Sequence, residues 1–276
     1  MATLSISTAW NETTEFVKRE GQLLFPLSFM LLALPVALME ALMPAAPTPN
    51  EAPEPGLWML LVPIVLIASI IGNLAISRLA LRPGTSVGEA ISHGARRLPV
   101  MLAVAILLAI AGGLLFVVFA TLVVMIVPGA AASATAGVTN AALGTAVLIL
   151  MVLIAPVMLF FSARLALMTP AAAAEAGGPF AVMGRSWALT RGHTGKLMAF
   201  VFLLGITYMI VSFVIQTIAG LAILALAGPP TPGSFSALLI TLVMAGVNTI
   251  ATPYLASLIA RVYAQLSGET GANVFA

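Results

Sequence analysis

Six long apolar runs divide the chain, and short polar segments separate them. A helix needs about 20 apolar residues to cross the hydrocarbon core of a bilayer, and each run is that long or longer. The predicted spans are residues 22–43, 57–76, 98–127, 141–161, 197–227 and 235–260. The pattern therefore predicts an all-α fold, a polytopic transmembrane helical bundle of six spans.

Polar segments with helical periodicity precede every second span. In residues 85–97, Val87 and Ile91 follow one helical face, while Glu89, His93 and Arg97 step by four along another. Residues 5–20 and 177–196 have similar mixtures. We predict a short cytoplasmic surface helix in each segment. A proline-rich loop is expected at 44–56, an uncharged turn at 129–140 and a proline-containing turn at 228–234.

Basic residues test this topology independently of hydropathy. All eleven fall in the segments shared with the two termini: Lys18, Arg19, Arg78, Arg82, Arg96, Arg97, Arg164, Arg185, Arg191, Lys196 and Arg261. Loops rich in Lys and Arg remain in the cytoplasm. We therefore expect a multi-pass protein of the bacterial inner membrane with both termini in the cytoplasm.

Similar heptapeptides end the three return spans: AISRLAL at 75–81, FSARLAL at 161–167 and LIARVYA at 258–264. They place Arg78, Arg164 and Arg261 at equivalent positions. We interpret the chain as one integral membrane domain, 1–276, built from three related hairpins at about 5–82, 83–168 and 175–265, with a short polar tail expected after Arg261. The alternative is that topology alone places an arginine at the cytoplasmic end of each return span.

Composition argues against catalysis and against a soluble domain. Hydrophobic residues make up 61% of the chain and charged residues 7%, and there is no cysteine or aspartate. The two histidines, His93 and His193, have no partner at ligand or catalytic spacing. We therefore predict no catalytic residue, cofactor site or metal site, and no nucleic-acid partner.

Residues 177–196 contain the most distinctive chemistry of the chain. The run from Arg164 through Glu175 to Arg185, Trp187 and Arg191 resembles the signature region of the glycerophosphoryl diester phosphodiesterase membrane-domain family and of YciC-like bacterial inner-membrane proteins. The resemblance implies a similar six-span membrane fold. It does not imply phosphodiesterase activity, because the soluble catalytic domain found in multidomain relatives has no counterpart here.

Arg185, Trp187 and Arg191 are the candidate contact for an anionic phospholipid. Tryptophan favours the headgroup level, and a guanidinium binds phosphate in a fork. Gly184 and Ala188 would let another helix approach this segment closely. The alternative is that the segment only anchors the fifth span.

Polar side chains within the spans are the other candidate sites. Asn73, Gln216, Asn248 and Tyr254 are expected at membrane depth, where such groups usually pair between helices. The favoured function is that of a non-catalytic protein that interacts with membrane lipids or scaffolds other membrane proteins. Besides lipid, the expected partners are another membrane protein or a second copy of the chain. The alternative is a transporter or lipid flippase with a substrate path between the hairpins.

Overall fold

The computed structural model describes residues 4–43, 55–135, 141–231 and 234–268, and these form helices and turns with no β-strand. The helices are α1 (Ile6–Ser28), α2 (Leu34–Leu42), α3 (Trp58–Leu81), α4 (Val87–Ile126), α5 (Ala130–Thr135), α6 (Ala141–Leu165), α7 (Met168–Ala174), α8 (Pro179–Thr190), α9 (Thr194–Ala227) and α10 (Phe235–Ser267). Six helical segments in the described ranges are long and apolar enough to cross a membrane. The predicted all-α membrane bundle is confirmed.

The first two predicted surface helices are not separate elements. Residues 5–20 belong to α1, which continues through a π-helical turn at Phe29–Ala33 into α2, and residues 85–97 begin the 40-residue helix α4. A helix that ended between the polar and apolar parts would leave carbonyls unpaired at the membrane edge, whereas continuation keeps them bonded. Only α8 is separate, because Gly192 breaks the chain before α9 with a φ of +92°.

The long helices pack as a ring. α3 contacts α4, α4 contacts α6, α6 contacts α9, α9 contacts α10, and α10 returns to α3. α1 and α2 lie along α3 and α10. The short helix α7 contacts α3, α4 and α10, and its residues Pro170–Ala173 are buried. It therefore closes one end of the ring.

Buried residues concentrate at the end of the bundle where α3, α6 and α10 finish, which we call the basic end. In α3 every buried residue lies between Gly72 and Ala80, and in α10 most lie between Pro253 and Ala264. In α9 only Leu197, Phe200 and Ile223 are buried. Small side chains at the basic end let the backbones approach closely. The helices are thus tightly packed at one end and more open elsewhere.

The loops differ partly from their predictions. The predicted turn at 129–140 contains α5, and α10 continues past Arg261 to Ser267, where a polar tail was expected. The remaining loop predictions fall largely on 44–54, 136–140 and 232–233, which lie outside the described residues. The tail beyond residue 268 also lies outside them.

Gly94 provides a test of the close α3–α4 packing. A Cβ atom at Gly94 would lie 2.9 Å from the backbone oxygen of Ile71, whereas one at Gly88 in the same helix would meet nothing within 4 Å. We expect Gly94→Ala to lower the free energy of unfolding by about 1–3 kcal/mol, since the backbone must move. Thermal unfolding in detergent measures this. Gly88→Ala is the control, and equal unfolding midpoints for the two variants would contradict the packing.

Candidate functional site

The residues that join α7 to α8 are bound by cations from two other helices. α7 ends at Ala174, and the Gly178 oxygen accepts from Val182 of α8, so the carbonyl groups of residues 173–177 have no partner within a helix. We call this segment the α7–α8 junction. Arg78 Nη1 in α3 donates to the Ala173 oxygen at 3.1 Å, and Arg97 Nη1 in α4 donates to the Gly177 oxygen at 3.1 Å. Arg97 Nη2 donates to the Glu175 oxygen. Cations at a helix C-terminus are favourable, so these bonds tie α3, α4 and α7 together.

The Glu175 side chain extends the same junction to α8 and α10. Its Oε1 accepts from Arg185 Nε at 2.7 Å and from the buried Tyr263 hydroxyl at 2.5 Å. Burial raises the pKa of Glu175, but the bonds from Tyr263 and Arg185 outweigh that effect and hold the pKa below its usual value. The bond to Glu175 raises the pKa of Arg185. Both groups therefore remain charged near neutral pH.

A second cluster surrounds Arg164, at the end of α6. Its guanidinium carbon lies 4.8 Å from the ring centroid of Trp187 and 5.5 Å from that of Phe160. Its Nη1 donates long hydrogen bonds to the Trp187 oxygen at 3.4 Å and to Thr190 Oγ1 at 3.5 Å. Within the described residues Arg164 has no carboxylate partner. The cluster therefore carries an uncompensated positive charge on aromatic faces.

An apolar cleft of about 800 Å³ lies beside this cluster, between α4, α6 and α8. α4 contributes Leu108 and Leu115, and α6 contributes Met158 and Leu165. Trp187 of α8, 39% exposed, is also part of the lining. The Arg164 cluster and the cleft thus share one side chain, with the charge at one end of an apolar surface.

The structure separates the three residues predicted as a lipid contact. Trp187 lies in the cleft, Arg185 turns to Glu175, and Arg191 is exposed where α8 ends. The expectation of a close helix approach at Gly184 is wrong, because a Cβ atom there would meet nothing within 4 Å. Gly184 instead lines the cleft. Arg164, predicted only as a repeated arginine, is the cation that lies against the Trp187 ring.

The repeated arginines each contact a segment at the basic end. Arg78 binds the end of α7, Arg164 binds the end of α8, and the Arg261 guanidinium carbon lies 5.5 Å from the Phe16 ring of α1. In each the Nε is buried without a hydrogen-bond partner in the described part of the chain. The threefold repeat itself stays a prediction.

Polar groups within the spans pair only in part. Tyr208 of α9 donates to Asn248 Oδ1 of α10 at 2.8 Å, which is the expected pairing between helices. Asn73 Nδ2 instead donates to the Ser69 oxygen within α3 at 2.9 Å. Gln216 is exposed. Among the described residues, no group of three His, Cys, Asp or Glu side chains is arranged to hold a metal ion.

Sequence reasoning missed Arg97, Tyr263 and Tyr208 as site residues. Tyr263 lies 88 residues from Glu175, and Arg97 lies 78 residues from the same position. No local pattern reports such distant contacts. A helical step from His93 to Arg97 was visible, and it correctly placed both side chains near one face of α4.

The fold and these clusters identify the chain as a polytopic α-helical membrane protein with a basic end. Residues 4–266 match the family model described as Domain of unknown function (DUF7847), so the chain belongs to that family. No curated protein and no solved structure matches the chain.

Proposed function

We propose that this protein is a non-catalytic membrane protein that holds a membrane lipid at its basic end. An acyl chain would lie in the cleft between α4, α6 and α8, and the phosphate of an anionic headgroup would bind at Arg164. The observation that carries the proposal is that Trp187 both lines the apolar cleft and lies against the Arg164 guanidinium, which has no acidic partner in the described ranges.

The dimensions of the cleft support this assignment. Its lining on α4 runs from Leu108 to Leu115 and on α6 from Met158 to Leu165, about 10 Å along each helix axis. One leaflet of the hydrocarbon core is about 15 Å thick. The cleft therefore begins near the headgroup level at Trp187 and extends through most of one leaflet. An acyl chain fits this shape better than a compact polar solute does.

The charges support an anionic headgroup. Arg164 lies against Trp187, and Arg191 follows Thr190, whose hydroxyl accepts a long bond from Arg164. A phosphate contacted by a guanidinium forms short, charge-assisted hydrogen bonds. Arg185 is the weaker candidate of the three predicted residues, since its Nε is bound to Glu175. The cationic part of the proposed site is therefore Arg164 with Arg191.

The same proposal includes an orientation and a cellular location. Helix directions place all the described basic residues at one end of the bundle, and such ends face the cytoplasm. We propose the bacterial inner membrane, with both termini cytoplasmic. The resemblance to the glycerophosphoryl diester phosphodiesterase membrane domain and YciC-like proteins agrees with a lipid-facing role and stays part of the proposal.

A transporter or lipid flippase is the second candidate. It is favoured by a separate cavity of about 340 Å³ that α2, α3 and α10 line with polar side chains at membrane depth. A transporter needs such a cavity between its helices. The lipid-holding function remains first, because this cavity and the cleft share no lining residue.

The absence of cysteine in the chain permits a direct test of orientation. We expect Gly56→Cys, between the first two spans, to react with a membrane-impermeant maleimide on intact cells. Gly88→Cys, at the basic end, should react only after the membrane is permeabilised. The reverse labelling pattern would contradict the orientation.

Filling the cleft tests the lipid proposal. A Cβ atom at Gly112 meets nothing within 4 Å, and Gly112 lines the cleft. Gly112→Leu therefore places a side chain where the acyl chain would lie and should lower the amount of phospholipid that the protein retains. Removing the charge with Arg164→Gln should lower lipid affinity about tenfold, the effect of losing one charge-assisted hydrogen bond. Native mass spectrometry of the purified protein with its retained lipids measures both effects.

Gly113→Leu is the matched control, because Gly113 is the next residue of α4, equally open and outside the cleft lining. It should retain anionic phospholipid at the wild-type level. If Gly112→Leu and Arg164→Gln also retain it at that level, the cleft does not bind the lipid.

A further inference from the structure

A second cavity, of about 340 Å³, lies among membrane-spanning helices, and we call it the polar chamber. Its polar lining comes from α2, α3 and α10: Glu40, Ser69, Asn73, Thr241, Asn248 and Thr252. Polar groups at membrane depth are costly, so those that occur there usually pair with one another or belong to a functional site. The chamber shares no lining residue with the cleft between α4, α6 and α8. It therefore requires a separate explanation.

Hydrogen bonds within the chamber leave acceptors unused. Asn73 Nδ2 donates to the Ser69 backbone oxygen, which fixes the amide and leaves Oδ1 without a donor among the described residues. The Thr252 hydroxyl forms no hydrogen bond with those residues either. The chamber thus offers a carboxylate, a carboxamide oxygen and a hydroxyl oxygen to a ligand.

The charge of the chamber is negative. Glu40 is its sole ionisable lining residue, and no ion pair joins Glu40 to another described residue. α2 ends at Leu42, two residues later, so its partial negative charge adds to that of the carboxylate. No Lys, Arg or His lines the cavity. A cation is the ligand that this field favours.

The backbone beside the chamber is interrupted. Leu32 and Ala33 of the π-helical turn line the cavity, and π-helical turns within α-helices occur frequently at functional sites. Leu32 also packs on Gly72 of α3, where an added Cβ atom would lie 3.0 Å from Leu32 Cδ2. This contact holds the interrupted helix against α3.

Two buried hydroxyls extend the polar lining toward the basic end. Ser77 follows Asn73 by four residues on the same face of α3, and Ser28 precedes Leu32 by four. Ser28 is 0% and Ser77 1% exposed, and neither hydroxyl has a hydrogen-bond partner in the described part of the chain. Unpartnered hydroxyls inside a protein are uncommon. They indicate that the polar face continues inward beyond the chamber and is not a local surface feature.

We propose that the polar chamber binds a small monovalent cation, with the Glu40 carboxylate as its counter-ion and with Asn73 Oδ1 and the Thr252 hydroxyl as further ligands. Its volume equals that of about ten water molecules, which admits an alkali-metal ion with water or a small organic ammonium. The ligand oxygens can close around a small cation, but not around one that carries a long polyol chain, such as N-methylglucamine. This site is independent of the lipid cleft.

Thermal unfolding of the purified protein in lipid nanodiscs tests the proposal. Chloride salts of sodium, potassium, methylammonium and N-methylglucamine are compared at constant ionic strength. We expect a saturable rise in the unfolding midpoint, about 3 °C at ten times Kd, with at least one small cation and none with N-methylglucamine. A rise with sodium or potassium alone identifies a metal-ion site, whereas a rise with methylammonium alone identifies an ammonium site.

Glu40→Gln should abolish the rise, and Glu15→Gln, an exposed carboxylate of α1 outside the chamber, should retain it. Thr252→Val keeps the side-chain shape and should increase the half-saturating concentration several-fold, which provides a test even if Glu40→Gln does not fold. The proposal is overturned if N-methylglucamine acts as well as the small cations, if none of them raises the midpoint, or if Glu40→Gln and Thr252→Val respond as the wild type does.

Discussion

The Arg97 guanidinium, bound to the carbonyl groups between α7 and α8, is the interaction on which the arrangement of the bundle depends. Peptide carbonyls beyond the end of a helix have no partner within it, and those that are buried need another donor. Arg97 supplies donors to two of these carbonyls, and Arg78 supplies a third. Because the two arginines belong to α4 and α3, the hydrogen bonds to the carbonyl groups of this one loop also hold two membrane spans in position.

Glu175 adds a carboxylate to the same junction. Its carboxylate receives Arg185 from α8 and the Tyr263 hydroxyl from α10, so that each element around the junction contributes a bond. The ion pair is partly exposed, and such pairs alone contribute little stability. Its main effect is on the orientation of α8. With Arg185 held by Glu175, Trp187 lies on the opposite side of the helix, toward the cleft. The tight basic end and the open cleft thus have a common origin.

The hydrophobic pattern was sufficient to predict the six long apolar helices, because the length of an apolar run is set by the thickness of the bilayer. It was insufficient to predict where α1 and α4 begin, since an amphipathic segment and a span can form one continuous helix. The aromatic and basic character of residues 177–196 drew attention to Trp187, which lines the cleft. Its partner Arg164 was predicted only as a repeated arginine, because the contact joins α6 to α8 across a loop.

The distinction between a lipid cleft and a polar chamber also required the fold. Asn73 and Asn248 were recognisable as intramembrane polar residues, but their neighbours Glu40 and Thr252 come from other helices, and sequence separation hides the cluster. Conversely, Gly184 looked like a helix-packing residue and is an open lining residue of the cleft. Spacing along one helix shows which residues share a face, whereas what packs against that face depends on the other helices.

The position of α8 relative to α4 tests most directly whether the junction fixes the bundle. Spin labels on Ala109→Cys in α4 and Ala188→Cys in α8, both exposed positions, report that distance in nanodiscs by pulsed electron resonance. The account predicts a narrow distance distribution that broadens with Arg97→Gln. It should stay narrow with Arg96→Gln, whose arginine donates to Ser92 within its own helix. An unchanged distribution in Arg97→Gln would contradict the central role of the junction.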